Sequence, residues 1–484
     1  MNIILKDKKI KFTIIFGCLI FGFGIISSAK VKAMLKDKTS TGLDEAPTHS
    51  VSPLTDNITP SLPFIKDSIC LINDTTNSMS AFINELNDLY NGKDTVINIV
   101  HLGDSHIQAG FLSGRTMRLL QNAFGNAGRG WIAPFKLSKV NEPVDYFISS
   151  NIKEWIAGRC IQTKPKCPWG IGGIGIQTEA GNIDFKLSIA PNNGAGYGFN
   201  KILLYRDYNA APMAPLTDKD STTMLSWGHH IYENIVVDTF MMASLNDTFS
   251  IRSVDLTTYY IENEMPFADE ESAITTNSRQ GNTITKNPNT YYGFMLTNSS
   301  PGVLYHSIGV NGAKFKDYTS REYVRQLSLL KPSLLIISLG TNESFGRNFS
   351  KTEFETQVDS FVRLVHEEIP GVTLLITTPV ESYKHVYRNK KRYYERNINV
   401  AKVTDVITTY AKKEGIAYWD LYSIAGGDNS CKKWFDAKMF GRDRIHFSRV
   451  GYEEQGTLLY KAILRSCISA QKTENLGEEE QNVE

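Results

Sequence analysis

A buried-strand rhythm that starts, stops and starts again limits what this chain can become. Residues 96–102 (VINIVHL) form a nearly continuous apolar run, as a parallel strand buried on both faces requires. The run breaks at Gly103-Asp104-Ser105 and leads into a helical pattern over 111–124, closed by Gly125. The alternation returns much later. A helix over 321–330 precedes a buried strand at 334–339, and a helix over 354–368 precedes a strand at 372–377. A third helix over 396–414, ended by Gly415, precedes a strand at 416–419. Strands alternating with helices predict an α/β fold with a doubly wound parallel sheet. Between 138 and 300 the rhythm is missing. Short β-prone runs at 185–189, 201–205, 235–240, 257–261 and 291–296, separated by Asn, Gly, Pro and Ser clusters, predict an inserted all-β sandwich or jelly roll.

The 484 residues exceed the usual size of one compact domain, so two folded units are expected. The α/β unit takes 66–137 and 301–470, and the insert takes 138–300. The 52 basic and 51 acidic side chains leave a formal net charge of +1. That balance excludes the electrostatic footprint of a nucleic-acid binder. Lys6, Lys8, Lys9 and Lys11 precede an apolar run over 12–26 and the small residues Ser27, Ser28 and Ala29. This is the pattern of a signal peptide over 1–29, and the run is shorter than the roughly 18 residues of a membrane span. Export to a periplasmic or extracellular location is expected, with an uncleaved membrane anchor as the competing reading. Residues 30–65 read as a flexible linker and 471–484 as a disordered acidic tail.

Beyond the signal stand Cys70, Cys160, Cys167, Cys431 and Cys467, an odd set for an oxidising compartment. Cys160 and Cys167 are close enough to close a small loop, although spacing does not fix the pairing. No zinc-site spacing is present, so no metal is expected. Trp131, Trp155, Trp169 and Trp227 lie in or beside the insert, as core or as surfaces for stacking on sugars.

Four short elements carry possible chemistry. Ser105 ends a buried strand and begins a helix, where open α/β sheets place their ligands. Asp443-Arg444-Ile445-His446 sets a carboxylate three residues before an imidazole. The carboxylate can reach Nδ1 while Nε2 faces a serine, which needs such a base to lose its proton. Gly340-Thr341-Asn342-Glu343 follows the strand at 334–339 directly and can present the Asn342 amide to the same crevice. Gly309-Val310-Asn311-Gly312 supplies a flexible turn whose Gly312 N–H can donate beside it. Singly, each is ordinary turn chemistry. His106 and His306, near these motifs, read as packing residues.

Together, in this order, the elements resemble those of the SGNH/GDSL hydrolases: GDSH at 103–106, GVNGA at 309–313, GTNE at 340–343 and DRIH at 443–446. The resemblance implies a flavodoxin-like three-layer fold, with Ser105 as nucleophile, His446 as base and Asp443 orienting it. It implies an oxyanion hole made by Ser105, Gly312 and Asn342. Glu343 stands where many members have Asp. With a β-rich insertion after the first block, the chain looks most like bacterial peptidoglycan O-acetylesterases, whose second module resembles a carbohydrate-binding jelly roll. The implied protein is a monomeric, cofactor-free esterase acting on an O-acylated glycan. An O-acyltransferase using the same residues, or an inactive glycan-binding protein, remains open.

Overall fold

The computed structural model describes residues 54–191, 196–216, 224–254 and 288–481, with the backbone alone from 474 onward. The expected signal peptide, most of the expected linker and the β-prone run at 257–261 lie outside the described residues.

Five strands form a parallel sheet in the spatial order Gly302–Gly309, Val96–Gly103, Leu334–Ser338, Thr373–Thr377, Ala417–Trp419. In chain order this is 2-1-3-4-5, the flavodoxin-like arrangement. Leu334, Leu335, Ile336 and Ile337 are all shut from water, which is why their run is unbroken by polar residues. Register sets the functional edge. Gly103 pairs with Gly309 on one side and Ser338 on the other, so three strands end level and their following loops leave together. Across the sheet, His101 bonds Tyr305 at 2.6 Å and Ser338 at 2.7 Å, and Ser338 bonds Thr377 at 2.8 Å. Helices Ser80–Tyr90, Leu112–Phe124 and Arg449–Gln481 pack together, as do Arg321–Ser328, Lys351–Glu368 and Asn399–Glu414, and the two groups flank the sheet.

The chain between the first two parallel strands builds antiparallel sheets. One runs Ile156–Arg159, Ile174–Thr178, Asn289–Thr297, Phe199–Asp207, Ile235–Asn246, Met224–Tyr232, with Gly130–Ile132 added beside Asn289–Thr297. The other runs Tyr146–Ser150, Asp184–Ile189, Thr248–Ser253, Met213–Pro215. The two sheets meet through aromatic rings. Phe185 lies 5.1 Å from Tyr291 and 5.6 Å from Phe294, and Phe249 lies 5.7 Å from Phe240. Trp131 and Trp155 are core residues; Trp169 is half-buried against Tyr323, and Trp227 stacks on Phe240 with its outer edge exposed. The antiparallel sheets and the parallel sheet belong to one compact unit.

Several expectations are corrected. Residues 54–65 do not trail as a linker. Leu62 and Ile65 are buried, Ser61 bonds Glu454, and Asp56 pairs with Arg465 at 2.6 Å on the long C-terminal helix. That helix continues to Gln481, through the stretch expected to be a disordered tail; Glu, Gln and Lys are strong helix formers that outweigh a lack of apolar residues. Cys160 and Cys167 form no disulfide. Both are buried thiols facing different neighbours, Cys160 near Gly173 and Tyr318, and Cys167 near the Ile156 and Gly175 carbonyls. The helix expected from 396 starts at Asn399, because Lys391–Arg396 is a strand of a two-stranded hairpin with Tyr383–Arg388.

Candidate active site

Ser105 opens the short helix Ser105–Gln108, capped by Asp104, whose carboxyl accepts the His106 N–H at 2.9 Å. As the first residue of its helix, Ser105 has no intrahelical acceptor for its own N–H. His446 Nε2 stands 2.8 Å from Ser105 Oγ, and His446 Nδ1 stands 2.6 Å from Asp443 Oδ2. The other oxygen of Asp443 accepts the N–H groups of Ile445 and His446, each at 3.0 Å. The three-residue spacing thus closes an Asp-centred turn that aims the imidazole.

Burial pushes the Asp443 carboxyl up, but the His446 hydrogen bond and the two N–H groups hold it below the usual carboxylate range. Asp443 is therefore an anion at neutral pH and accepts from Nδ1–H, leaving Nε2 with a lone pair toward Ser105. Arg444, between them, takes φ +59°, a conformation costly for a side chain with a Cβ. Its guanidinium is clamped 4.1 Å from both the Tyr394 and Phe435 rings, which offsets that cost.

The other two elements converge on the same edge. Gly340, at φ +114°, turns the chain from its strand into Thr341–Ser344, and a Cβ there would lie 2.7 Å from Val403. Asn342 Nδ2 donates to Asp104 Oδ2 at 3.1 Å and to the Ala313 carbonyl at 3.0 Å. These two acceptors fix which end of the amide is nitrogen and knit the serine loop to the Gly312 loop. Gly312 has φ +86° and is exposed, and its N–H has no acceptor among the described residues. Neighbouring Asn311 donates its N–H to Gln108 Oε1 at 2.7 Å.

Three residues support the site; the sequence gives no role to Gln108 or Glu343 and reads His106 as packing. Gln108 ties three loops, because its amide nitrogen also donates to the Asn141 carbonyl at 2.9 Å. His106 packs at a tilt against His446, ring centres 5.3 Å apart, and bonds the Tyr452 hydroxyl at 2.9 Å. Burial holds its pKa down to about 3, so it packs as a neutral ring. Glu343 accepts the Phe315 N–H at 2.9 Å, holding the start of Phe315–Tyr318 after the Gly312 turn. Only the strand–turn positions of Gln108 and Glu343 hint at this, since the partners are backbone groups far off in sequence. His306 is buried and bonds Asn98 at 3.2 Å, away from these loops. Among the described residues no cluster of His, Cys, Asp and Glu is arranged to hold a metal ion.

Residues 276–454 match the model of the GDSL-like Lipase/Acylhydrolase family. Over that stretch the chain is similar to the GDSL-like acylhydrolases. The matched stretch takes in Gly312, Asn342, Asp443 and His446 and starts after Ser105, which the intervening β strands separate from the rest. Among solved structures, a peptidoglycan O-acetylesterase aligns over 82% of this chain and 99% of its own, with a TM-score of 0.61 and 19% identity. The parallel sheet and the antiparallel sheets together therefore share the fold of that structure. A GDSL-like lipase from Bacteroides thetaiotaomicron aligns over 34% of this chain and 76% of its own, with a TM-score of 0.26 and 20% identity. A mutant acetyl esterase holding an acetate ion aligns over 36% of this chain and 75% of its own, with a TM-score of 0.26 and 12% identity. No curated protein matches the chain.

Proposed function

We propose that the chain is an exported serine esterase that removes O-acyl groups, chiefly O-acetyl, from a cell-envelope or extracellular polysaccharide. The observation that carries this reading is the hydrogen-bonded line from Ser105 Oγ through His446 to Asp443, at 2.8 and 2.6 Å. Ser105 Oγ attacks the acyl carbonyl as His446 Nε2 takes its proton, and Asp443 stabilises the imidazolium. The N–H groups of Ser105 and Gly312 receive the oxyanion, and the Asn342 amide joins them by exchanging one of its bonds, to Asp104 or to the Ala313 carbonyl, for the substrate oxygen. The sugar hydroxyl leaves with the proton from His446. Water, deprotonated by the same ring, then frees the acid from Ser105.

Glycan as the substrate is supported by the fold held in common with a peptidoglycan O-acetylesterase and by the export pattern at Lys6–Ala29 of the sequence. The test is acetate released from O-acetylated peptidoglycan and O-acetylated xylan, alongside an aryl acetate. Ser105→Ala is expected to lose on the order of 10⁶-fold in kcat with the melting temperature unchanged. Wild-type turnover by that variant would sink the assignment.

A further inference from the structure

The hairpin Tyr383–Arg388/Lys391–Arg396 plays no part in the steps above, yet it leaves the sheet at the edge where Ser105 lies. It follows the parallel strand Thr373–Thr377 and precedes the helix Asn399–Glu414. Its turn is Asn389-Lys390, with φ of 51° and 63°, the left-handed pair that a tight hairpin needs. It is fastened to the loop that bears Asp443 and His446. Tyr383 N–H donates to the Arg444 carbonyl at 3.0 Å, Tyr394 OH donates to the Arg442 carbonyl at 3.3 Å, and Tyr394 forms one jaw of the Arg444 clamp.

Cross-strand register sorts the side chains. Tyr383 pairs with Arg396, His385 with Tyr394 and Tyr387 with Arg392, so these six share the face that holds Arg444. Toward the tip that face continues as Tyr387, 73% exposed, beside Arg392, whose guanidinium lies 5.3 Å from the Tyr394 ring and bonds His385. Lys384, Arg388 and Lys391 occupy the opposite face, and Lys390 the turn. Residues 383–396 hold six basic side chains against one acidic, in a chain whose net charge is +1. Glu395 is taken by Arg388, and Arg396 is taken by Glu381 and Asp428. Lys384, Lys390 and Lys391 have no carboxylate partner among the described residues.

Each face thus sets cations without a carboxylate partner beside an exposed tyrosine ring, Arg392 with Tyr387 on one and Lys384 and Lys391 with Tyr393 on the other. A carboxylate-bearing sugar chain needs that pairing: cations for the acid and a flat apolar face for the ring. A lipid surface would call for aliphatic side chains to enter it, and Val386 is the sole aliphatic residue of the hairpin. We propose that this hairpin is the substrate-binding wall of the site and selects acidic, carboxylate-bearing glycans over neutral ones. The proposal rests on the esterase reading, since it names which glycan that site takes.

The test uses the full chain and two probes, partially acetylated polygalacturonate (acidic) and partially acetylated xylan (neutral), with an aryl acetate to report the esterase itself. Wild type is expected to favour the acidic glycan. The ratio of kcat/KM on acidic to neutral glycan should fall about tenfold in Lys384→Gln/Lys390→Gln/Lys391→Gln. Wild type in 0.5 M NaCl should approach the same ratio, because these cations are exposed. Tyr387→Ala should raise KM on the acidic glycan and leave the preference in place. An unchanged ratio in the triple variant, with aryl acetate still hydrolysed, overturns the hairpin assignment and leaves the esterase standing. No turnover of any ester by wild type overturns the esterase instead. Binding of unacetylated polygalacturonate, present in wild type and lost in the triple variant, would then still support the wall. Triple-variant loss of binding to phosphatidylglycerol vesicles alone overturns it in favour of a lipid surface.

Discussion

Charge is buried in two regions of the molecule, and they treat it in opposite ways. In the antiparallel sheets Arg129 forks onto Asp145 at 2.6 and 3.2 Å, and Arg206 forks onto Asp238 at 2.8 and 3.1 Å. Both pairs are nearly shut from water, and Arg206 also donates to the Ala210 carbonyl. At the edge of the parallel sheet Asp104 and Glu343 are buried as deeply. Among the described residues neither forms an ion pair. Asp104 receives the His106 N–H and the Asn342 amide; Glu343 receives the Phe315 N–H, and its second oxygen has no hydrogen-bond partner among the described residues. Burial accordingly drives both carboxyls up to about 7. A forked ion pair fixes a fold. A carboxyl held by dipoles alone stays near the point of gaining or losing its proton, and here two such groups support the residues around Ser105.

If that contrast is right, the two regions must fail differently. Asp145→Ala strands Arg129 in the core and should cost about 3–5 kcal/mol of stability, read by chemical denaturation. The folded fraction should keep its aryl acetate kcat. A loss under about 1 kcal/mol would mean that the pair is solvated in solution. Asn342→Ala should do the reverse. Removing an oxyanion donor costs ~2.7–4 kcal/mol of transition-state stabilisation, so kcat should fall by roughly 10²–10³-fold with KM little changed. A kcat within tenfold of wild type would remove Asn342 from the oxyanion site.

Sequence reading reaches the parallel sheet for a physical reason, and the convergence of Ser105, Asp443 and His446 through the resemblance of four short motifs in order. Strands buried on both faces, such as 96–102 and 334–339, must be continuously apolar, and the loops that follow them must reach one edge. The three-residue spacing of Asp443 and His446 permits their bond, and the motif around them singles it out. The hairpin at 383–396 is hidden because its period-2 alternation is written in Lys, Arg and Tyr, with no apolar face to detect. The docking of Asp56 on Arg465 and of Gln108 on Asn311 joins groups distant along the chain, and no local pattern announces them. His106 reads as a packing residue, and it packs on His446 itself. Spacing leaves the cysteines undecided for a related reason, since Cys160 and Cys167 are close in sequence while their thiols point into separate parts of the core.

Glu343 offers the finest test of the contrast, because a neutral isostere can replace it. Its carboxyl carries a pKa of about 7 in the fold against an ordinary value of 4.5. A carboxyl raised in the native state holds its proton there while the unfolded chain has released it. Its contribution to stability is therefore full below about pH 4.5 and is lost as pH rises through about 7. Glu343→Gln keeps an oxygen for the Phe315 N–H and has no proton to lose. The melting temperature of wild type should drop between pH 5 and pH 8 by more than that of the variant. The variant should keep a smaller drop, because Asp104 titrates in the same direction. Were the two melting curves to fall in parallel, Glu343 would be ionised in the fold throughout. The edge of the parallel sheet would then tolerate a bare buried charge, as the antiparallel sheets do not.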